Sequence, residues 1–468
     1  MSARGPRLGI LALAMINVAA IVSARNLPVM AEYGWSMLAL FALSILVFLV
    51  PIAMAAAELG TAWPRDGGVY AWVKEAFGER TGFLAVWCDY SENVAWFPTV
   101  LSFIAASLAY AIDPALATDT VFLVVVMLTV FWATTALSLR GVGASARLGA
   151  IGTIAGSIVP AVLVVVLGVA FLAGGRPSAI PFSAGALVPD LQIDNLAFLG
   201  GIVLLFTGME MAGFHARHTE DPGRVVPRAI ALCVAVVVVF SVVGSLFLAF
   251  VVPASEISLV SGTMELFSRV LDLLGAGWLV VPLALLIAFG GVAHLTPWIL
   301  GPADGVAAVA REGSAPRRLA RTNSRDVPVA LVVGQGVAGS VFALLFLLVP
   351  SVSTSYWMLS AVTAQIVVVM YGLMFAAVIR LRYTRPDVAR PYRIPGGLPG
   401  VWLAGGLGLA GCVFSFVLGF VPPSQLETGD TLVYVLLLAL AVAVLSCPPF
   451  VVAALDRRRA RRAVPAPA

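Results

Sequence analysis

About twelve apolar segments, most of them twenty residues or longer, follow one another along this chain. A helix needs about 20 mostly apolar residues to cross a lipid bilayer. The segments are continuously apolar and do not alternate with a period of two residues, which excludes a membrane barrel of strands. The sequence therefore predicts an all-α integral membrane protein with about twelve transmembrane helices. The predicted spans lie at residues 8–30, 36–59, 82–112, 120–139, 148–173, 196–214, 229–252, 278–309, 327–349, 356–379, 401–420 and 432–455.

The composition excludes a water-soluble protein. Hydrophobic residues make up 61% of the chain and charged residues 11%, whereas a soluble domain is about 45–50% apolar and about 25% charged. The four cysteines lie in apolar segments without a Cys-x-x-Cys spacing. His215 and His218 are close in sequence but lack a third and a fourth ligand nearby. We therefore predict no metal and no cofactor.

The basic residues predict the orientation in the membrane. If the N-terminus is cytoplasmic and each span reverses the side, all but three of the 28 lysines and arginines lie in cytoplasmic segments. The exceptions are Arg25, Arg176 and Arg269. Because cytoplasmic loops carry the excess of Lys and Arg, we expect a multi-pass protein of the inner (cytoplasmic) membrane with both termini in the cytoplasm. The first apolar segment resembles a signal peptide. Because eleven further spans follow it, we expect it to be retained as the first transmembrane helix.

Nothing in the sequence resembles a soluble domain. We expect one transmembrane transport domain at residues 1–455 and a short basic cytoplasmic tail at 456–468. The tail adjoins a span and faces anionic lipid, so membrane lipid is its predicted partner and nucleic acid is not. Residues 67–78 are short and amphipathic, which predicts an interfacial helix after the second span.

Two spans carry a charge together with a residue that weakens a helix. Span 1 contains Arg25 followed by Pro28, and span 6 contains Gly208 followed by Glu210. Proline cannot donate a backbone hydrogen bond and clashes with the preceding turn, so we predict a break near Arg25. Breaks in the first and sixth spans are typical of two inverted five-helix repeats with the substrate bound between them. The predicted substrate-binding residues at the breaks are Ser23, Ala24, Arg25, Asn26, Thr207, Gly208 and Glu210.

The alternative interpretation is two kinked helices with a structural ion pair. The ionised Arg25 must find an anion at membrane depth, which is a substrate carboxylate, Glu210 across the site, or both in alternation.

Spans 3 and 8 carry the remaining polar groups of interest. Glu92, Trp96 and Thr99 share one helix face, and Asp89 precedes them. Two buried carboxylates fit either proton coupling or binding of a substrate amine, although Asp89 can equally anchor the helix near the interface. His294 lies before a proline and Trp298 in span 8, and histidine is the side chain that titrates near neutral pH. The predicted coupling groups are Glu92, Glu210 and His294, and Trp96 and Trp298 are predicted to occlude the substrate.

At these positions the chain resembles the amino acid–polyamine–organocation superfamily, and within it the bacterial glutamate/GABA antiporter branch. The matching stretches are Ala55-Ala56-Ala57-Glu58-Leu59, Asp66-Gly67-Gly68-Val69-Tyr70-Ala71-Trp72-Val73, Asp221-Pro222-Gly223-Arg224, Pro297-Trp298-Ile299-Leu300-Gly301-Pro302-Ala303-Asp304-Gly305 and Tyr392-Arg393-Ile394-Pro395-Gly396-Gly397. Their order and spacing carry the resemblance over nearly the whole chain.

The resemblance implies a LeuT-like fold, with a first repeat at about 8–174, a second at about 195–382 and two extra helices at about 398–455. It also implies alternating access for amino acids, often by exchange, and it adds Tyr371 in span 10 to the substrate-binding residues. Compared with the glutamate/GABA antiporter, Arg25 replaces a tyrosine and His294 replaces an acidic residue. Both replacements make the presumed site more positive, which favours zwitterionic or acidic amino acids over net cationic ones.

We therefore interpret the chain as a secondary active transporter of amino acids or their derivatives, and not as an enzyme. No nucleotide-binding motif is present in the sequence, so uphill transport must use exchange or an ion gradient such as H⁺. A membrane channel or a membrane-embedded enzyme is the alternative: the first needs pore-lining rings and the second a nucleophile–base pair or a metal cluster. The sequence leaves the substrate, the coupling ion and the oligomeric state open.

Overall fold

The computed structural model describes residues 8–64, 67–141, 152, 156, 158–193, 195–216, 219–313, 315–349 and 351–452. Within these ranges every regular element is a helix, apart from an isolated bridge between Leu8 and Thr219. Arg4, Arg7, the start of the fifth span and the basic tail at 456–468 lie outside the described residues.

Seventeen α-helices are described, and consecutive pieces of one span are numbered separately. They are α1 (Ile10–Ile21), α2 (Leu27–Ala31), α3 (Met37–Ser44), α4 (Val50–Ala62), α5 (Val69–Phe77), α6 (Glu79–Ile112), α7 (Thr120–Ser138), α8 (Val159–Ala173), α9 (Leu199–Phe206), α10 (Met211–Phe214), α11 (Pro222–Val251), α12 (Gly262–Leu273), α13 (Val280–Arg311), α14 (Val329–Ala343), α15 (Val352–Thr384), α16 (Gly397–Leu418) and α17 (Thr431–Ser446).

The helices agree with the predicted all-α, multi-pass membrane class. Eight helical segments in the described part of the chain are long and apolar enough to cross a membrane, and they coincide with predicted spans 2, 3, 4, 7, 8, 9, 10 and 11. Spans 5 and 12 correspond to the shorter apolar helices α8 and α17. The two remaining spans, 1 and 6, are each divided into two short helices.

Both predicted breaks are present. Span 1 leaves the α-helix after Ile21, passes through one 3₁₀ turn at Ala24–Asn26 and resumes at Leu27. Pro28 lies in the first turn of α2, where its missing N–H costs nothing. Span 6 stops at Phe206 and resumes at Met211.

Two features of the fold differ from the sequence prediction. Span 10 was expected at residues 356–379, but α15 is longer at both ends, because Ser351 caps its first turn and Arg382 is buried in its last. The short helix α12 was not predicted, since its Glu265, Arg269 and Asp272 give it the composition of a loop. The interfacial helix expected at 67–78 is α5.

The described contacts between loops join segments that the predicted topology places at the same end of the bundle. At the arginine-rich end, Lys74 on α5 pairs with Glu312 after α13, with an Nζ–Oε2 distance of 2.7 Å, and Glu75 pairs with Arg385 after α15. At the opposite end, the Tyr33 hydroxyl after span 1 donates to the Asn195 carbonyl before span 6 at 2.6 Å.

Candidate functional site

The break in span 1 is held open by hydroxyl groups of neighbouring helices. In a bilayer every backbone polar group must find a partner inside the protein. The Ala24 carbonyl accepts a hydrogen bond from Thr263 Oγ1 on α12 at 2.7 Å, and the Leu27 carbonyl accepts one from Ser245 Oγ on α11 at 3.0 Å. The unwound segment is therefore a satisfied and stable part of the fold.

A cavity lies between the two breaks and spans 3 and 8. Its lining residues are Ile21, Ser23, Arg25, Asn26, Glu92, Asn93, Trp96, Leu204, Thr207, His294 and Trp298. A second small cavity adjoins it and includes Ala24 beside Ser23, Arg25 and His294. Most of the predicted site residues are thus brought together around one enclosed space.

Arg25 is almost completely enclosed, with 3% of its surface exposed. Its Nη1 donates to Thr99 Oγ1, and its guanidinium lies 5.5 Å from the centre of the Trp96 ring and 5.9 Å from that of Tyr356. None of the ion pairs between described residues includes Arg25. The guanidinium is thus held by a hydroxyl and two aromatic faces, which leaves its charge available to an anion in the cavity.

Glu210, one of the anions that the sequence offered to Arg25, is not paired with it in this structure. Its carboxylate instead accepts a hydrogen bond from the Tyr371 hydroxyl at 2.7 Å. The same hydroxyl accepts one from the backbone N–H of Gly208 at 3.0 Å. The backbone N–H of Gly208 at the break of span 6 is therefore occupied by span 10 and is not free for a ligand. The residues that line the cavity do not include Gly208, Glu210 or Tyr371.

Asn93 lines the cavity and is completely buried. Its Nδ2 donates to the Asp89 carbonyl at 2.7 Å and to Glu92 Oε1 at 2.9 Å. These two acceptors fix the orientation of the amide, because a flipped side chain would place oxygen against oxygen. The Asn93 Oδ1 atom consequently points away from them, and it has no hydrogen-bond partner among the described residues.

Aromatic side chains form the wall shared by spans 3 and 8. The Trp96 ring lies 5.6 Å from the Trp298 ring and 5.7 Å from the His294 ring, measured between centroids. The Trp96 ring is tilted by 53° to each of the other two, an arrangement favoured by aromatic quadrupoles. The two tryptophan rings can cover a small bound molecule without supplying a charge of their own.

The described residues contain no group of three or more His, Cys, Asp and Glu side chains suited to a metal ion. His215 Nδ1 lies 2.9 Å from the Met211 carbonyl, and His218 is outside the described residues.

Sequence reasoning did not include Asn93, Thr99 or Tyr356 among the site residues. Asn93 and Thr99 lie on span 3 beside residues that were selected, so the helical spacing of that span carried a usable signal. Tyr356 lies 331 residues after Arg25 at the start of span 10, and only the tertiary fold brings the two together.

Comparison with known proteins agrees with this architecture. Residues 8–443 match the family model described as amino acid permease. The chain belongs to the amino acid permease family. This amino acid permease is 36% identical over 427 residues to an uncharacterized transporter of Legionella pneumophila, an alignment that covers 91% of this chain and 92% of the relative. It is 31% identical to a glutamate/gamma-aminobutyrate antiporter of Lactococcus lactis, over 90% of this chain and 85% of that protein.

A more distant relative is a probable agmatine/putrescine antiporter of Lactococcus lactis, which is 24% identical over 77% of both chains. The permease family and the full-length relatives identify the protein as a multi-pass membrane transporter of amino acids.

Proposed function

We propose that this permease exchanges zwitterionic or acidic amino acids across the bacterial inner membrane by alternating access, with the substrate bound in the cavity between the breaks of spans 1 and 6. The observation that carries this proposal is the unpaired Arg25 guanidinium in that cavity, opposite the carboxylate of Glu92 and the free acceptor of Asn93. The full-length relative named as a glutamate/gamma-aminobutyrate antiporter supports exchange.

The architecture of the proposal is two inverted five-helix repeats, at about 8–174 and 195–382, followed by two helices at about 398–455. The broken first and sixth helices support it, because each repeat then begins with a discontinuous span. The arginine-rich end faces the cytoplasm under the positive-inside rule, so that both termini and the basic tail are cytoplasmic. The tail is proposed to lie against anionic lipid.

The carboxylate and the amine of the bound amino acid have different partners in the cavity. Arg25 receives the carboxylate, since a guanidinium binds carboxylates through paired N–H donors. The substrate amine donates to Asn93 Oδ1 and is attracted by Glu92. Ser23, Ala24, Asn26 and Thr207 supply the polar surface of the breaks, and Trp96 and Trp298 occlude the bound molecule.

The positive charge of Arg25 also selects against net cationic substrates. A like charge in a desolvated cavity costs several kcal/mol, so arginine, agmatine and putrescine are disfavoured. This sets the permease apart from the relative whose name includes agmatine and putrescine.

Any coupling to protons is proposed to use Glu92, Glu210 or His294. Glu92 and His294 line the cavity, and Glu210 is linked to it through Gly208 and Tyr371. These are the titratable groups whose protonation would change with substrate occupancy.

The test is counterflow in proteoliposomes that contain the purified permease and are loaded with single unlabelled amino acids or amines. We expect loading with neutral or acidic amino acids to accelerate uptake of labelled substrate, and loading with putrescine or agmatine to have no effect. Uptake that never responds to internal substrate would favour a channel. Repeating the assay across pH with His294→Gln and Glu210→Gln tests coupling, because a flattened profile in either variant identifies its group as the responsive one.

A further inference from the structure

A buried cluster of charges lies at the arginine-rich end, remote from the cavity. Glu58 near the end of span 2 has 1% of its side chain exposed, and Arg382 near the end of span 10 has 2%. The Arg382 Nε atom donates to Glu58 Oε1 at 2.6 Å, and its Nη2 donates to Glu58 Oε2. The backbone N–H of Ile394, in the loop after span 10, also donates to Glu58 Oε2 at 2.8 Å. One carboxylate therefore joins two spans and a loop.

Arg390 connects the same loop to span 2 and to the end of span 10. Its Nε lies 3.2 Å from Glu58 Oε1, and its guanidinium is 5.4 Å from the centre of the Trp63 ring. Its Nη2 donates to the carbonyls of Leu381 and Arg385, which closes the end of span 10. The Thr61 hydroxyl adds a bond from the Tyr392 N–H at 3.3 Å. The loop is thus tied to span 2 and to span 10 at several points.

Separating the charged groups of this cluster would cost a large free energy. A bidentate pair taken apart inside the protein leaves an uncompensated carboxylate and two uncompensated guanidinium groups, and removal of one partner of a buried ion pair is strongly destabilising. A contact of this kind is poorly suited to opening and closing in every transport cycle.

The cluster is one of three contacts that connect spans 2, 6 and 10 in pairs. Span 10 holds the break of span 6 through Tyr371 and Glu210, about 16 Å along α15 from Arg382. Span 2 contacts the second half of span 6 directly, since a Cβ placed on Gly60 would lie 2.5 Å from the Cα of Gly213. Three contacts among three helices fix their relative positions.

We propose that Glu58, Arg382 and Arg390 form a permanent strut that makes spans 2 and 10 and the second half of span 6 move as one body during alternating access. Glu58 is then a positioning residue, which sets the place of Glu210 and Tyr371 beside the substrate cavity without contacting the substrate. The strut stays closed in both the inward-open and the outward-open states.

The experiment crosslinks the strut covalently. Thr61→Cys and Tyr392→Cys are introduced into full-length protein whose four native cysteines are replaced, and the pair is joined through disulfides with a short bifunctional methanethiosulfonate. Mass spectrometry selects samples in which the crosslink is complete. Exchange of labelled glutamate, 4-aminobutyrate and leucine is then measured in proteoliposomes before and after addition of dithiothreitol, with each single-cysteine variant as the control.

We expect the crosslinked protein to keep at least half of the exchange rate of its reduced form. A rate below half that returns on reduction would mean that span 2 and the loop after span 10 must separate, and the strut would be disproved. Exchange by the reduced protein tests the proposed amino-acid exchange without the crosslink. Failure of the proposed function can therefore be distinguished from failure of the strut.

A second variant tests positioning. Glu58→Gln, in protein that still elutes as the wild type does on size exclusion, should lower the maximal exchange rate at least tenfold with little change in KM. Combining it with Thr61→Cys and Tyr392→Cys and crosslinking the two introduced thiols should restore most of that rate, because the covalent link replaces the ion pair. A folded Glu58→Gln variant with wild-type exchange, or one that the crosslink does not improve, would overturn the proposal.

Discussion

At the scale of single residues, the site depends on two polar groups that the protein leaves incompletely paired. Arg25 is enclosed by Thr99, Trp96 and Tyr356 without a carboxylate at ion-pair distance among the described residues, and Asn93 Oδ1 has no donor among them. Buried polar groups are nearly always hydrogen-bonded, so a buried group without a partner calls for an explanation. The proposed zwitterionic substrate would supply both missing partners at once.

The first prediction concerns Arg25→Ala. A hydrogen bond to a charged group contributes about 1.5–3 kcal/mol, which corresponds to a loss of roughly 10- to 150-fold in substrate affinity. We expect exchange to fall by at least tenfold while the variant still inserts and elutes as a folded protein. Arg269→Ala is the matched control, since Arg269 forms an exposed pair with Glu256 away from the cavity. Affinity and rate within about twofold of wild type in Arg25→Ala would remove Arg25 from the site.

The second prediction concerns Asn93→Leu, which keeps the volume of the side chain and removes the acceptor. Substrate binding should weaken by about 1–3 kcal/mol, because the amine then loses its partner. Equilibrium binding of labelled substrate to detergent-solubilised protein measures the change. Gln335→Leu is the control: Gln335 is an equally buried amide on α14 with a free Oε1, but it lies outside the cavity. Equal effects of the two substitutions on substrate affinity would show that Asn93 acts only on stability.

At the scale of helices, the sequence predicts the elements well and their partners poorly. The break in span 1 follows from a charge and Pro28 in an apolar run, and that in span 6 from Gly208 beside a charge. The pairing of Glu210 with Tyr371, 161 residues away, depends on how spans 6 and 10 pack. Hydropathy also missed α12, because an amphipathic helix that lies over the break of span 1 has the composition of a loop.

The third prediction concerns the break of span 6. Gly208 has a φ of +100°, which L-residues rarely adopt, and a Cβ there would lie 3.2 Å from Ile21 Cγ1. We expect Gly208→Ala to cost about 1–3 kcal/mol of stability and to slow exchange, since the strained backbone carries the N–H bonded to Tyr371. Thermal unfolding in detergent and proteoliposome exchange measure the two effects. Gly301→Ala, in the body of α13 with open space around it, should be neutral in both. A neutral Gly208→Ala would mean that the break tolerates a side chain.

The fourth prediction concerns the attachment of the interfacial helix α5. The hydrogen bond from Lys74 lowers the pKa of Glu312, and the same bond raises the pKa of Lys74. The lowered carboxyl pKa stabilises the fold above the unfolded value of 4.5, and this stability is lost as pH falls through the folded pKa. The raised Lys74 pKa stabilises the fold below its unfolded value of 10.5, and that contribution is lost as pH rises through the folded pKa.

Both side chains are substantially exposed, so the pair is worth only about 0.5 kcal/mol. Glu312→Gln should therefore unfold at a slightly lower temperature than wild type at pH 7, and the difference should shrink as the pH falls below 4.5 through the lowered folded pKa of Glu312. Thermal scans in detergent across pH, at low and high salt, measure this. A difference that grows on acidification would contradict the expected direction of the pH dependence.

At the scale of the whole molecule, the proposed orientation and the proposed substrate class both rest on the distribution of charge. Lys74–Glu312 and Glu75–Arg385 join loops that the predicted topology places on the cytoplasmic side. The one arginine buried at the centre of the described structure faces the cavity. The proposed function assigns to this positive charge the distinction between zwitterionic or acidic amino acids and polyamines.

Competition by cations tests that distinction most directly. Uptake of the labelled neutral or acidic amino acid that the reconstituted permease exchanges fastest is measured with excess arginine, agmatine or putrescine, and with excess unlabelled substrate as the control. We expect the unlabelled substrate to abolish the signal and the three cations to leave it unchanged, because Arg25 repels a net positive charge in the desolvated cavity. Strong inhibition by these cations would show that Arg25 does not set the charge of the site.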